Sequence, residues 1–248
     1  MHPIFDRIQA NDVDAVRKFF RSHRDIAAVI VEPVAGNMGV VPSTIEFLDA
    51  LRRESARAGA LLIFDEVISG FRVGPGGAQK LYGIRPDLTV LGKIIGGGMP
   101  IGAFGGASAL MNRLSPDGDV YQAGTLSGNP MSVAAGISVL SGISRPFYDK
   151  LERATSAFTE QVLAITRRRN VPVSMNRAGS MFTFFYSERA PRDYAGVRLS
   201  DTRLFAKRFN RLLQLGIYGP PSAFEASFLS AAHGPKELEK ACHAYEKI

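Results

Sequence analysis

Two stretches decide the fold: "ALLIFDE" (Ala60–Glu66) and "DLTVLGK" (Asp87–Lys93). Each is an apolar run of strand length with little polar alternation, the pattern of a strand covered on both faces in a parallel sheet. Working outward, "IAAVIVEP" (Ile26–Pro33) is a third such run, stopped by proline. Helical patterns separate the runs. Residues 11–24 carry Asn11 or Asp12 as a cap and Val16, Phe19 and Phe20 as an i, i+3, i+4 stripe. After Pro42, Ser43 and Glu46 have capping-box spacing, Ile45, Leu48 and Leu51 form the stripe, and Gly59 can end the helix. Asn129 and Pro130 fit the cap and first position of a helix running to about Leu140. This alternation predicts an α/β layer around a parallel or mixed sheet. The pattern changes near residues 143–147. A long amphipathic helix is expected over 148–168, then strands at Val171–Ser174 and Met181–Tyr186, a helix over 201–215, a strand near Ala226–Ala231 and a last helix from Pro235. That is α+β organisation, and it sets an expected domain boundary near residue 145.

Composition narrows the function classes. A length of 248 residues suits roughly one and a half to two domains. A 46% hydrophobic share with 16 Phe excludes a disordered chain. The single Cys, Cys242, cannot form an intramolecular disulfide, and with no leader pattern a reducing, cytoplasmic setting is expected. No run of about 18 apolar residues is present, so no membrane span is expected. The net charge of +7 comes from scattered residues. The one tight run, Arg167-Arg168-Arg169, falls where cations favour a helix C-terminus, so no nucleic-acid partner is expected. Gly92-Lys93-Ile94 is not a P-loop, no dinucleotide fingerprint fits, and "GTLSG" (Gly124–Gly128) has the wrong spacing for a nucleophile elbow. His2, His23, His233 and His243 lack metal-ligand spacing, so no metal is expected. Cys242, in the last helix, reads as a structural thiol.

The 25 glycines exceed an average share of about 7% and concentrate between Gly70 and Gly142, which suggests backbone passing close to a ligand. In open α/β sheets, ligands gather at the carboxyl ends of strands. Here two strands end in opposite charges, Asp65 and Lys93, and Lys93 is followed by "IIGGGMPIGAFGG". An ion pair at the sheet edge would satisfy both charges. Alternatively, a lysine in such a site can act as a nucleophilic amine toward an aldehyde. "YQAGTLSGNP" (Tyr121–Pro130) adds Thr125, Ser127 and backbone N–H groups ahead of a helix N-terminus, a setting suited to phosphate, although an ordinary capped loop would look the same. Together the parts describe a site for pyridoxal phosphate, with Lys93 on the aldehyde and Asp65 holding the ring nitrogen protonated.

"LLIFDEVISGFR" (Leu61–Arg72) and "LGKIIGGGMPIGAFGG" (Leu91–Gly106) resemble the class III pyridoxal-phosphate aminotransferases of fold type I. "VIVEPVAGNMGVVP" (Val29–Pro42), "VYQAGTLSGNP" (Val120–Pro130) and "GIYGPPSAFEASFLSAAH" (Gly216–His233) resemble the glutamate-1-semialdehyde 2,1-aminomutase branch of that family. The resemblance implies an α/β chain: a partial fold-type-I large domain over 1–145 and a C-terminal α+β small domain over 146–248. It implies pyridoxal 5'-phosphate and pyridoxamine 5'-phosphate as cofactor forms, with Lys93 as the Schiff-base lysine and proton carrier. Asp65 would pair with the pyridine nitrogen, Val67 pack on a ring face, and Asn37 approach the ring hydroxyl. Gly124 and Thr125 would bind the cofactor phosphate, in this family from a neighbouring subunit, and Glu225 would lie near the substrate amino groups. Read alone, Val67 suits a core, Asn37 suits a turn as well as a site, and Glu225, set between Phe224 and Phe228, suits a surface or a specific partner. The implied reaction moves an amino group between adjacent carbons of an amino-aldehyde, giving 5-aminolevulinate for tetrapyrrole synthesis, in a cytoplasmic homodimer.

Family members carry a large N-terminal part ahead of the matched region, and the match here begins about at Met1. The expectation is therefore a chain that lacks a second phosphate loop and a ring-stacking aromatic, binds the cofactor weakly and turns over poorly by itself, or works with a partner that supplies the rest. Two alternatives stay open: an aminotransferase using an external 2-oxo acid, and an inactive fragment that keeps only the dimer surface.

Overall fold

The computed structural model describes residues 6–248; His2 therefore lies outside the described residues. The chain divides into two units, Met1–Pro33 with Ser43–Ile143, and Val34–Pro42 with Ser144–Ile248.

The first unit begins with helix α1 (Val13–Ser22). Asp12 caps it by accepting from the Ala15 N–H at 2.8 Å. Asn11, the other candidate, instead accepts from the Thr44 N–H at 2.7 Å. Strand β1 (Ala28–Val31) follows. After β2 (Val34–Ala35) and β3 (Val41–Pro42), which belong to the second unit, comes α2 (Ile45–Ala58). Its cap is Thr44, one residue beyond the expected Ser43, and Ile45 is exposed, so the buried stripe is Phe47, Leu48 and Leu51. Gly59, at φ 69°, ends the helix as expected.

Strand β4 (Leu61–Asp65), helix α3 (Gly77–Tyr82) and strand β5 (Leu88–Gly92) lead to a 3-10 turn at Lys93–Gly96, then β6 (Gly102–Gly106) and α4 (Ser108–Met111). The sheet order is β1-β4-β5-β6. The first three strands run parallel and β6 is antiparallel, so the sheet is mixed. Val16, Phe20, Phe47, Leu48, Leu51, Leu62 and Phe64 form one core on the face that α1 and α2 cover. Fully burying one such side chain stabilises by about 1.5–3 kcal/mol. The opposite face, with Leu61 and Ile63, is half-buried, and Ile30 is exposed. The expectation of strands covered on both faces is thus met on one face only. Asp87 pins the strand starts: its carboxylate accepts from the Leu62 N–H at 2.7 Å and pairs with Arg52 at 2.9 Å. Helix α5 (Pro130–Gly142) closes this unit, capped by Asn129 as expected.

The second unit holds α6 (Arg145–Arg168), β7 (Ser174–Ala178), β8 (Met181–Phe185), α7 (Tyr194–Val197), α8 (Thr202–Gln214), β9 (Ser227–Phe228) and α9 (Pro235–Glu246). Its antiparallel sheet has the order β7-β8-β9. The first strand starts three residues later than the expected Val171, and β9 is shorter than expected. Leu151, Phe158, Val162, Ile165, Phe182, Leu229 and Cys242 make its core. No helix among the described residues is long and apolar enough to cross a membrane.

Candidate active site

Strands β4 and β5 pair in parallel with Asp65 opposite Val90, so Asp65 and Lys93 emerge at the same, carboxyl edge of the sheet. Asp65 is half-buried, and its Oδ1 accepts from the Val67 N–H at 3.1 Å. That turn folds Val67 over the lysine strand. A Cβ built on Gly92 would come 3.2 Å from Val67 Cγ1, so the valine lies against the backbone immediately before Lys93. Lys93 has φ 47°, a left-handed conformation that costs a non-glycine residue and is held here by the turn around it. Its side chain is exposed, and among the described residues no ion pair joins it to Asp65. The structure therefore does not spend these two charges on each other.

The turn after Lys93 is fixed from behind by α5. A Cβ on Gly136 would meet the Ile95 carbonyl oxygen at 2.1 Å, and one on Gly97 would meet the Ala135 carbonyl oxygen at 2.4 Å. Only glycine lets helix and turn come this close. The same helix carries the second part of the site at its N-terminus. Asn129 accepts from the Ser132 N–H at 3.0 Å, and Ser132 Oγ donates to the Pro100 carbonyl at 2.8 Å. Gly124 and Thr125 lie exposed in the loop ahead of it, where the Ser127 N–H donates to the Gly124 carbonyl at 3.0 Å. Unit one thus carries Asp65, Val67, Lys93, Gly124 and Thr125.

Glu66 was not singled out by its sequence. It is buried, and its carboxylate accepts from Ser69 Oγ at 3.1 Å, the Ala78 N–H at 2.5 Å, the Gln79 N–H at 3.3 Å and Gln79 Nε2 at 3.1 Å. Gln79 Nε2 also donates to Thr89 Oγ1 at 3.0 Å. Of the paired carboxylates, one therefore builds the loop and the other, Asp65, stands half-buried at the sheet edge. The sequence signal available was the doubled acid itself; which of the two faces inward follows from the strand pleat.

Asn37 and Glu225 lie in the second unit. Asn37 is exposed in the turn between β2 and β3 and bridges to Gly39. The Gly39 N–H donates to the Phe224 carbonyl at 2.7 Å, which fastens this turn to the segment bearing Glu225. Glu225 has an exposed side chain with no ion pair among the described residues. Its neighbour Phe224 packs against Val41, Phe185 and Val197. Cys242 is buried, and burial, followed by Glu246, pushes its thiol above the ordinary range, as a structural thiol requires.

The family model for class-III aminotransferases matches residues 5–221. A protein of Pelotomaculum thermopropionicum named glutamate-1-semialdehyde 2,1-aminomutase is 50% identical over 236 residues, which is 94% of this chain and 54% of that protein. One of the same name from Syntrophomonas wolfei is 50% identical over 239 residues, 96% of this chain and 56% of that protein. Among solved structures, an omega-transaminase from Sphaerobacter thermophilus superposes with a TM-score of 0.90 at 32% identity, covering 96% of this chain and 55% of that one. A glutamate-1-semialdehyde-aminomutase from Pseudomonas aeruginosa in complex with PMP superposes at 0.86 with 25% identity, covering 97% and 55%. The chain spans about half the length of the curated relatives it matches. An α/β unit with an acid and a lysine at the ends of neighbouring parallel strands, the order of the motifs and the reach of the match lead to one assignment: the chain belongs to the class-III aminotransferase family.

Proposed function

We propose that this chain is part of a pyridoxal-phosphate-dependent aminomutase acting on glutamate 1-semialdehyde and releasing 5-aminolevulinate for tetrapyrrole synthesis. The observation that carries the reading is Asp65 and Lys93 at one edge of paired parallel strands, unpaired with each other, with Lys93 held in a left-handed conformation. The names of the half-identical relatives support the aminomutase branch.

The donor set fits the cofactor: an exposed primary amine, a half-buried carboxylate, an apolar side chain against the backbone just before the lysine, and, from a neighbouring subunit, a loop at a helix start. When bound, the group supplies an electrophilic carbon and a ring that takes up the electron pair left at the substrate carbon. Asp65 would hold the ring nitrogen protonated by its charge, and Val67 would pack on a ring face. Gly124 and Thr125 would bind the phosphate from a neighbouring subunit, and Asn37 would approach the ring hydroxyl. Lys93 Nζ would take up and deliver protons at the two substrate carbons in turn, which favours a fixed turn behind it. Glu225 orients the substrate amino groups. On this reading residues 1–145 belong to the cofactor-binding domain and 146–248 form the C-terminal small domain, although Val34–Pro42, which bears Asn37, groups with the second unit.

The reading also makes the working protein a cytoplasmic homodimer. Supporting it, Leu126, Met131 and Ile137 are 66%, 68% and 62% exposed along the loop and helix that carry Gly124 and Thr125, an apolar surface suited to a second subunit.

A second reading, transfer to a separate 2-oxo acid, is favoured by the likeness to the omega-transaminase. One experiment separates them. Protein loaded with pyridoxamine 5'-phosphate is mixed with glutamate 1-semialdehyde and single-turnover products are measured. Formation of 5-aminolevulinate without any 2-oxo acid is expected. Amino transfer that occurs only when a 2-oxo acid is supplied contradicts the aminomutase.

A further inference from the structure

We infer that Thr183 is a positioning residue: one buried hydroxyl that sets the Asn37 turn and the Glu225 segment in fixed register. This rests on the functional reading of Asn37 and Glu225 given above. Thr183 stands in the middle of β8 and is 4% exposed. Its Oγ1 accepts from the Val40 N–H at 2.9 Å, in the turn that bears Asn37. The same oxygen donates its hydrogen to the Glu225 carbonyl at 3.1 Å. A hydroxyl is the smallest side-chain group that can accept and donate at once, so it joins two segments separated in sequence by nearly the whole unit. Two further features close the arrangement. The Gly39 N–H donates to the Phe224 carbonyl at 2.7 Å. Gly39 has φ 80°, and a Cβ there would sit 2.9 Å from the Phe185 ring and 3.2 Å from Thr183 Cγ2. The turn therefore lies directly on β8 with no room for a larger residue. Asn37 and Glu225 are exposed, and the contacts that place their backbones run through the rigid strand beneath them. A side chain that must meet a small ligand to within a fraction of an ångström gains from such support.

The test compares Thr183→Val, which keeps the shape and removes both hydrogen bonds, with Thr183→Ser, which keeps the hydroxyl. Hydrogen exchange at the Val40 amide reads the bridge without any cofactor. The absorbance of protein titrated with pyridoxal phosphate reads the surroundings of the ring hydroxyl. Helical content by circular dichroism checks that each variant folds. In Thr183→Val, exchange at Val40 is expected to rise about tenfold or more, in keeping with the loss of one buried hydrogen bond. The absorbance maximum of bound pyridoxal phosphate is expected to shift, and Thr183→Ser to restore both. Unchanged exchange, or an unchanged spectrum with altered exchange, overturns the positioning role, as does a folded Thr183→Ser that behaves like Thr183→Val. If the unsubstituted chain takes up no pyridoxal phosphate while exchange in Thr183→Val still rises, the functional reading falls and the role assigned to Thr183 falls with it. The hydrogen-bond bridge itself then stands.

Discussion

In the second unit, Phe158, Phe182, Phe184 and Tyr245 meet edge to face at 5.2–5.9 Å, and Met181 and Phe185 are sealed. In the first unit, β6 and α5 leave Phe104, Met131 and Ile137 open to solvent. A helix that is apolar all round belongs among partners on every side, yet α5 has one side firmly placed, where Gly97 and Gly136 admit the Lys93 turn. The second unit offers its candidate residues from turns fastened to a strand. The first unit has a sealed core of its own around Val16, Leu48, Leu62 and Phe64, and its candidate residues stand at strand ends and at a helix start, on the side left open.

Substitutions can break this contrast, beginning with the largest effect. Phe182→Ala in the sealed core should cost about 3–5 kcal/mol, whereas Phe104→Ala, 43% exposed on β6, should stay within about 1 kcal/mol. Urea unfolding of the two variants checks this, and equal costs would erase the contrast. Glu66→Gln turns an acceptor toward N–H donors with a donor of its own. A loss of about 2–3 kcal/mol is expected in the same assay, with the loop 67–79 the first to exchange its amides. Asn129→Ala removes the cap of α5 and should cost about 1 kcal/mol, seen as faster exchange confined to the first turn of that helix.

A further effect is a matter of pH. Burial raises the Tyr82 phenol from 10.0 to about 12. Tyr186 and Tyr245 are also raised by burial, with Arg208 opposing the shift. For a group whose pKa is raised on folding, the stability is complete below the unfolded value and is lost as pH climbs through the folded one. The chain should therefore hold its melting temperature up to about pH 9, where the raised Cys242 thiol begins to count, and lose it toward about pH 12. Tyr82→Phe should soften that loss in unit one and leave the alkaline loss of the tyrosine-bearing core of unit two in place.

Much of the fold is legible in the sequence because it depends on short-range chemistry. The apolar runs ending at Asp65 and Lys93 became β4 and β5, Gly59 ended α2, and Asn129 capped α5. What escaped depends on contacts far along the chain. Ser43 and Thr44 are equally good caps by type, and Asn11, by taking the Thr44 N–H, belongs to the arrangement in which Thr44 caps. Strand β6 is "GAFGG", with almost no β-forming residues, and exists because β5 supplies its ladder. The expected coverage of both sheet faces fails because the described helices bury only the Leu62 and Phe64 side. At the site, Asp65 and Lys93 announce themselves as charges after apolar runs. Glu66, Gly136 and Thr183 do not, since each is defined by a partner distant in sequence: Ala78 and Gln79, Ile95, and Val40 with Glu225.

On the proposed function, Lys93 is the amine that engages the cofactor. The most direct measurement is to mix the chain with pyridoxal phosphate, reduce with borohydride, digest and locate the label by mass spectrometry. One dominant reduced adduct on Lys93, absent from Lys93→Ala, is expected. No adduct, or label spread over surface lysines and unchanged in Lys93→Ala, would contradict it.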